Sequence, residues 1–265
     1  MGINQVTPFV KPSRKDQLDG DTLESKTIDA RVELKERASQ SASVIATIPI
    51  AGARAAMQQP EYSPAEMGRA KNTNDSAVTK ADAEEAVRTL LSYFGEDPSR
   101  EGLLDTPRRY VDAFEECLQG YKEDPIEILG RTFEDVAGYH DIVLMKNISV
   151  ESHCEHHLFP ITGMAHVAYL PSERVVGISK LARVVDVFSK RLVSQETLTE
   201  QIADAIDSAL KPKGVAVLID AQHSCITTRG IRKADVSCVT QRMTGVFDSD
   251  PAIETRFLRL IGQPG

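Results

Sequence analysis

The chain has 265 residues, of which 41% are hydrophobic, and this is enough for one large domain or two small ones with a packed core. Its formal net charge of -8 argues against a sequence-independent grip on nucleic acid, which requires a basic face. No stretch approaches the roughly 20 apolar residues of a membrane span, and the N-terminal segment lacks the apolar run of about 7–15 residues that is typical of a secretory signal. We therefore expect a cytoplasmic protein with no nucleic-acid or membrane partner, in which the four cysteines are metal ligands or core residues.

The first 76 residues differ in composition from the rest of the chain. They contain two aromatic residues, Phe9 and Tyr62, and no Cys or His, while Lys, Arg, Gln, Ser and Asp are frequent. Such a segment buries too little apolar surface to offset its ordering entropy. We expect residues 1–76 to be a mostly disordered N-terminal extension, with a short helix near residues 28–39, and residues 77–265 to form the folded domain.

Two helices are predicted at the start of this domain. Thr79 and Asp82 form a capping-box pattern, and apolar residues follow at helical spacing until Gly95. The second helix is expected to have Thr106 as its N-cap and Pro107 as its first helical residue. Its apolar face consists of Val111, Phe114 and Leu118.

From residue 141 the hydrophobic period changes to that of strands. One helix is predicted after a cap at Ser179, a second over residues 197–210, and a last one from Asp250. The predicted strands are residues 142–145, 148–150, 164–170, 215–219 and 235–247, the last interrupted by Gly245. Helices that flank and interrupt a largely antiparallel set of strands are typical of the α+β class.

The densest chemistry lies in residues 152–157, which read Ser-His-Cys-Glu-His-His. Cys154 and His157 are three positions apart and can reach one metal ion from a turn, and Cys225 is the candidate third ligand. Two thiolates and one imidazole suit zinc. A fourth protein ligand, which structural zinc usually has, is not obvious unless His153 or His156 serves. This favours an open, catalytic site, although a lone Cys-x-x-His also occurs by chance.

Two further histidines come close to these ligands in the sequence. His156 adjoins His157, and neighbours in an extended segment point to opposite sides, so we do not expect both on one ion. His156 and His223 are then free imidazoles beside the metal, with a pKa suited to proton transfer at neutral pH. The alternative is that both support the ligands structurally. Cys117, on an apolar helix face, is assigned to the core, and Cys238, in the middle of a strand, to the core or the surface.

Several separated motifs, in unbroken order over residues 78–262, resemble the GTP cyclohydrolase I family. The helical region contributes residues 95–103 and Thr106-Pro107-x-Arg109. The remaining motifs are Cys154-Glu155-His156-His157, the strand ending Ala168-Tyr169-Leu170-Pro171, residues 177–183 (Gly-Ile-Ser-Lys-Leu-Ala-Arg), Gln195-Glu196, His223-x-Cys225 and Arg229-Gly230.

The resemblance implies a T-fold, or tunnelling fold, in which an antiparallel sheet carries helices on one face and follows N-terminal helices. It also implies a homodecamer of two pentamers, with active sites between subunits. The implied reaction is zinc-dependent hydrolysis of GTP at C8 of the guanine, with release of formate and rearrangement to 7,8-dihydroneopterin triphosphate. That reaction is the first step of tetrahydrofolate and pterin biosynthesis.

The resemblance also assigns roles to particular residues. Zinc is held by Cys154, His157 and Cys225, and His156 and His223 are catalytic. The implied substrate contacts are Gln195 and Glu196 to the guanine, and Arg109, Ser179, Lys180, Arg183 and Arg229 to the triphosphate. An ionised carboxylate at Glu196 accepts the N1 and N2 hydrogens of guanine side by side, and adenine offers no such pair.

Other readings of the sequence remain. One is a non-catalytic, zinc-containing T-fold assembly that binds GTP and releases no formate, which the two free histidines disfavour. Another is a second enzyme of the same fold. A pyruvoyl-tetrahydropterin synthase is expected to hold zinc with three histidines, and a nitrile-reducing relative needs a nucleophilic Cys and a nicotinamide cofactor.

Overall fold

A computed structural model describes residues 78–130, the backbone of residues 132 and 133, and residues 139–262. The predicted extension of residues 1–76, with its short helix, lies outside the described residues. Among the residues that are described, no helix has both the length and the apolar content that crossing a membrane requires.

The domain opens with short helices. Helix α1 is Lys80–Tyr93, α2 is Thr106–Cys117 and α3 is Pro125–Leu129, with 3-10 turns at Glu101–Leu103 and Gln119–Lys122. The predicted capping box is confirmed, because Thr79 and Asp82 each accept a hydrogen bond from the other's backbone N–H. The predicted N-cap of α2 is wrong by one residue, because Thr106 is already helical and Asp105 is the N-cap.

A five-stranded sheet follows. The elements after α3, in chain order, are β1 (Thr132–Phe133), β2 (Val143–Cys154), β3 (Pro160–Leu170), β4 (Val175–Val176), α4 (Ile178–Ser189), β5 (Leu192–Val193), α5 (Gln195–Leu210), β6 (Gly214–His223), α6 (Ser224–Thr227), β7 (Cys238–Met243), α7 (Val246–Ser249) and α8 (Pro251–Ile261). The strand order is β5-β2-β3-β6-β7, and β1 pairs separately with β4. The α+β class is confirmed.

The sheet is mixed: it is largely antiparallel, as the sequence predicts, but it contains one parallel pair, which the antiparallel sheet implied by the resemblance does not include. Strands β2, β3, β6 and β7 pair antiparallel, but β5 runs parallel to β2, with His153 opposite Leu192 and Cys154 opposite Val193. The edge strand β5 consists of two residues between α4 and α5, so its direction is set by how those helices pack and not by a hydrophobic pattern of its own.

Helices cover both faces of the sheet, and the expectation that they lie on one face is wrong. The larger core packs α4 and α5 on one face, through side chains such as Leu181, Phe188 and Ile202. On the other face, Phe247 and Phe257 from α7 and α8 pack on the sheet in a second core. Residues 214–219 of β6 are therefore all buried, and a strand buried on both faces reads as a continuous apolar run.

Three element boundaries differ from those predicted. Helix α4 has Gly177 as its N-cap, so Ser179 lies within the first turn and does not cap it. Helix α5 begins two residues early, because the Ser194 side chain accepts from the Thr197 N–H. Strand β7 spans residues 238–243 only, since Gly245 has φ 54° and a side chain there would collide with the Lys213 carbonyl.

Candidate metal centre

The predicted metal segments meet at one end of the sheet. Cys154 is the last residue of β2 and His223 the last of β6, and β3 lies between these two strands with Ile161 opposite His223. Immediately after β2 the chain turns: the Cys154 carbonyl accepts from the His157 and Leu158 N–H groups at 3.3 and 2.8 Å. On the other side, Cys225 lies in the single-turn helix α6 directly after β6.

The three predicted ligands come together at this end of the sheet. One ligand atom from each of Cys154, His157 and Cys225 lies within 4.8 Å of the other two. The Cys154 side chain is buried, Cys225 is half-buried and His157 is exposed. Residues about seventy positions apart thus form a single candidate metal site with one side open to solvent.

The electrostatics of the two thiols suit a bound cation. Burial raises the pKa of the Cys225 thiol, and the adjacent Cys154 sulfur raises it further, while the positive charge of Arg229 opposes both effects. Two sulfurs this close do not both ionise readily by themselves. A divalent cation between them reverses that preference, because a coordinated thiol loses its proton. The donor set of this chain therefore fits a tetrahedral metal ion with one position left over.

The ring of His156 lies beside the same cluster. Its Nδ1 is 3.7 Å from the Cys154 Sγ, and its Nε2 is 3.8 Å from the Glu155 carboxylate. Residues 155–157 form a turn and not a strand, so the prediction that His156 and His157 are neighbours in an extended segment is wrong. Their ring centroids are 6.4 Å apart.

His223 is held by a buried side-chain amide. Its Nε2 lies 2.8 Å from the Gln195 Oε1, and burial lowers the pKa of His223 while the Glu196 carboxylate opposes that shift. Gln195 is 1% exposed, and its Nε2 lies 2.8 Å from the Cys238 carbonyl oxygen. The sequence assigns Gln195 to the guanine, but here both ends of its amide are engaged within the protein. A contact between Gln195 and a base stays a prediction.

Glu196 borders a cleft between α5 and β7. The cleft has a volume of about 310 Å³ and is lined by Glu196, Thr199, Glu200, Thr240, Gln241 and Arg242. The Glu196 side chain is exposed and close enough to His223 to influence its protonation. A carboxylate facing an open cleft beside the metal end of the sheet can accept hydrogen bonds from a ligand.

Of the predicted triphosphate contacts, Arg229 is close enough to the metal ligands for its charge to lower the pKa of the Cys225 thiol. Arg109 is exposed and pairs with Asp105 at 3.1 Å, one turn into α2. Ser179, Lys180 and Arg183 lie in the first half of α4, and among the described residues no hydrogen bond or ion pair joins them to the metal ligands. Ser179 is eleven residues, or about 17 Å of helix, from Lys190, where α4 ends beside β5.

Sequence reasoning missed two threonines that complete the surroundings of His223. Thr199 and Thr240 share a 2.6 Å hydrogen bond, and the Thr240 Oγ1 also lies 3.1 Å from the Gln195 Nε2. Thr199 is four positions after Gln195, on the same face of α5, so helical spacing offers a signal for it. Thr240 is on another strand and offers none.

The protein has a mixed sheet with helices on both faces, and a Cys-His-Cys cluster lies where the inner strands β2 and β6 end. These features define an α+β protein with a candidate metal site. A family model described as GTP cyclohydrolase I matches residues 83–262, and the chain belongs to that family. The resemblance seen in the sequence motifs is thereby confirmed.

Named relatives are close in sequence. GTP cyclohydrolase 1 of Maricaulis maris (strain MCS10) is 58% identical over 197 residues, which is 74% of this chain and 95% of the relative. GTP cyclohydrolase 1 of Hyphomonas neptunium (strain ATCC 15444) is 57% identical over 70% of this chain and 90% of its own length. GTP cyclohydrolase 1 of Brucella abortus (strain S19) is 58% identical over 69% of this chain and 85% of its own length.

Proposed function

We propose that this chain is an enzyme that opens the imidazole ring of GTP by hydrolysis at C8, releases formate and yields 7,8-dihydroneopterin triphosphate. The product is the first intermediate of tetrahydrofolate and pterin biosynthesis. The observation that carries the proposal is the convergence of Cys154, His157 and Cys225 at one point beside His156 and His223. Membership in the GTP cyclohydrolase I family gives the chemistry its substrate.

We propose that the metal is zinc, held by Cys154, His157 and Cys225. Two thiolates and one imidazole are the donors of a catalytic zinc site, whereas hard cations such as Mg²⁺ prefer oxygen ligands. When bound, zinc supplies the Lewis acidity that makes a water molecule nucleophilic at neutral pH. The two thiolates also support a cytoplasmic location, where cysteines stay reduced.

The side chains around this site have distinct roles in the proposal. His223 transfers a proton to the imidazole nitrogen of the guanine as the ring opens, and His156 assists proton transfer or holds the ribose. The exposed Glu196 carboxylate accepts the N1 and N2 hydrogens of guanine, with the base in the cleft between α5 and β7. This pairing selects guanine over adenine.

The triphosphate contacts point to an active site shared between copies of the chain. The charge of Arg229 acts on the Cys225 thiol, whereas no hydrogen bond or ion pair among the described residues joins Arg109, Ser179, Lys180 or Arg183 to the metal ligands. The first turn of α4 nevertheless suits an anion, because the positive end of the helix dipole lies there and Lys180 adds a positive charge. We propose the T-fold and a homodecamer of two pentamers, in which residues 77–265 are the catalytic domain and a neighbour's α4 completes each site.

Turnover of the purified full chain tests the proposal directly. The metal is removed with a chelator, zinc and GTP are added, and both formate and the fluorescence of the oxidised pterin are measured. We expect Cys225→Ser to lose stoichiometric zinc and turnover together. The matched control is Cys117→Ser, which changes a half-buried thiol in α2 outside the cluster and should keep both.

Two results contradict parts of this proposal. Full turnover and one zinc per chain in Cys225→Ser would exclude the third ligand. Tight GTP binding by the zinc-loaded wild type without any formate would favour the non-catalytic GTP-binding assembly.

A further inference from the structure

The orientation of the Gln195 side-chain amide is determined by its surroundings. Its Nε2 lies 3.1 Å from the Ile219 carbonyl oxygen and 2.8 Å from the Cys238 carbonyl oxygen. Side-chain amide oxygen and nitrogen are normally hard to tell apart. Here the ambiguity is removed, because a backbone carbonyl only accepts hydrogen bonds and the group that faces two of them must be the NH₂.

This orientation fixes the position of a hydrogen on His223. The Gln195 Oε1 is left facing the His223 Nε2 at 2.8 Å, and an amide oxygen only accepts. The Nε2 must therefore carry a hydrogen. In the neutral imidazole the other nitrogen, Nδ1, then holds the lone pair.

Two hydroxyl groups, of the buried Thr199 and the half-buried Thr240, support Gln195 in turn. The Thr199 Oγ1 donates to the main-chain carbonyl oxygen of Gln195 at 2.8 Å, which uses its one hydrogen. In the 2.6 Å contact between the two threonines, Thr240 must then be the donor. The Thr240 Oγ1 keeps a lone pair for the Gln195 Nε2 at 3.1 Å. The two hydrogens of the Gln195 Nε2 are thus shared among three acceptors, the Ile219 and Cys238 carbonyls and the Thr240 hydroxyl. The network joins α5, β6 and β7.

We infer that Gln195, held by Thr199 and Thr240, is a positioning residue that fixes the ring orientation and tautomer of His223, with the Nε2 hydrogen on the Gln195 oxygen and Nδ1 left as the nitrogen available to a substrate. The inference rests on the proposed function for the role of His223 in proton transfer. In this inference Gln195 acts through His223 and does not make the guanine contact that the sequence predicts. Glu196, the next residue, is left as the group that faces the cleft.

The first test measures the tautomer without any variant of the network. The full chain is labelled with ¹⁵N-histidine, and two-bond ¹⁵N–¹H correlation spectra distinguish the two neutral tautomers; His223→Asn assigns the signal. We expect the Nε2–H form for His223. The Nδ1–H form would overturn the inference. Because this readout does not depend on turnover, it stands even if the protein releases no formate and the proposed function fails.

The second test separates positioning from base binding through kcat and KM. Thr240→Val keeps the shape of the side chain and removes its hydrogen bonds, and Thr240→Ser is the conservative partner that keeps the hydroxyl. We expect Thr240→Val to lower kcat by about tenfold or more, with KM for GTP, zinc content and Tm close to wild type, and Thr240→Ser to restore kcat. Gln195→Met should give the same pattern with a larger loss.

The opposite patterns are equally informative. A rise in KM with kcat intact in Gln195→Met would make Gln195 a base contact. A lower Tm in Thr240→Val with kcat intact would make the network merely structural. If Gln195→Met does not fold, Thr240→Val and the wild-type tautomer still decide the question.

Discussion

At the scale of single residues, Glu196 is exposed and is the proposed acceptor of the guanine hydrogens. Its carboxylate lines the open cleft and makes no hydrogen bond within the described part of the chain, so the fold does not depend on it. We expect Glu196→Gln to weaken GTP binding by roughly ten- to a hundredfold, because each hydrogen bond to a charged group contributes about 1.5–3 kcal/mol. Calorimetric titration of GTP and the Tm of the free protein measure the two effects separately.

The matched control for Glu196 is Glu200→Gln, the same change one turn further along α5 at the same cleft. We expect its GTP affinity to stay within about twofold of wild type, since loss of one distant surface charge is a small effect. Equal losses in both variants would show that only the total charge of the cleft matters, and Glu196 would lose its role as the guanine acceptor.

Gly163 lies so close to strand β6 that there is no room for a side chain. A Cβ at this position would lie 2.2 Å from the Asp220 carbonyl oxygen and 2.5 Å from the Ala221 Cβ. We expect Gly163→Ala to separate β3 from β6 and to cost about 1–3 kcal/mol of stability. Because β6 carries His223 and leads into Cys225, zinc content should fall as well. Thermal unfolding and metal analysis measure both losses.

The control for this change is Gly102→Ala, where a Cβ would meet only the flexible end of the Arg100 side chain at 3.1 Å. That protein should unfold and bind zinc like wild type. If Gly163→Ala behaved in the same way, the close approach of the two strands would not be what requires glycine.

The sequence points to the three residues of the candidate metal site but not to the hydrogen bonds that hold Gln195 beside it. The spacing of Cys154, His157 and the His-x-Cys motif at residues 223–225 points to one site because few other roles use these residue types in that pattern. The partners of the Gln195 side-chain amide are 24 to 45 positions away, on the strands β6 and β7. No local pattern encodes such a network, so the internal role of Gln195 became evident only in the fold.

At the scale of elements, strand β2 contains a bulge that a histidine stabilises. The register slips between Met145 and Ile148, and Asn147 adopts φ 59°. The Asn147 N–H donates to the Nδ1 of His166 at 3.4 Å. The sequence predicts the two apolar stretches of β2 as separate strands, because an irregularity in a strand interrupts the hydrophobic pattern without ending the strand.

This bulge should weaken in acid. Burial, and then the nearby positive charge of Lys146, lower the pKa of His166, while Asp220 opposes them. The folded-state pKa is below the unfolded value of about 6.5, so the contribution is complete above that value and is lost as pH falls through the folded pKa. We expect His166→Asn to show a smaller loss of Tm than wild type between pH 7.5 and pH 5.5 or so.

The comparison of the two proteins cancels the other groups that titrate in this range. A single proton contributes at most about 1.4 kcal/mol per pH unit, which sets the ceiling for the difference in slope. Parallel Tm curves for wild type and His166→Asn would show that the buried imidazole does not couple proton uptake to unfolding.

Boundaries and strand direction were the least predictable parts of the fold. Capping patterns located α1 and α8 correctly, since Thr79 and Asp250 accept N–H groups of the following turn. Ser179 offered the same pattern without capping α4, because the chain enters that helix at Gly177. The parallel strand β5 has two residues, which is too short for any periodicity.

At the scale of the whole molecule, the first helix leaves an apolar surface uncovered. Helix α1 has no buried residue, and Leu90, Tyr93 and Phe94 are exposed. Between α1 and α2 lies a cleft of about 640 Å³ lined mainly by apolar side chains, including Val87, Leu90 and Phe114. A predicted amphipathic helix whose apolar face is not fully covered by the described residues favours the proposed assembly of several chains.

Mixed assemblies test whether one active site draws on two chains. Lys180→Ala removes a proposed triphosphate contact in α4, and Cys225→Ser removes a proposed metal ligand in α6. Each variant should be inactive alone. When the two are co-expressed with different tags and purified through both, a site that combines the metal ligands of one chain with the α4 of its neighbour is intact in about one case in four. We expect about a quarter of the wild-type turnover per site.

The control pair for this experiment is Cys154→Ser with Cys225→Ser. Both changes fall on the cluster that each chain builds from its own β2 and α6, so no pairing of neighbours restores a full set of ligands. Turnover should then stay at background however the chains mix. If the first pair also showed only background turnover, Lys180 and the metal ligands of the same chain would have to act in the same active site. The 17 Å or so between the start of α4 and its end beside β5 would then have to be bridged within a single subunit.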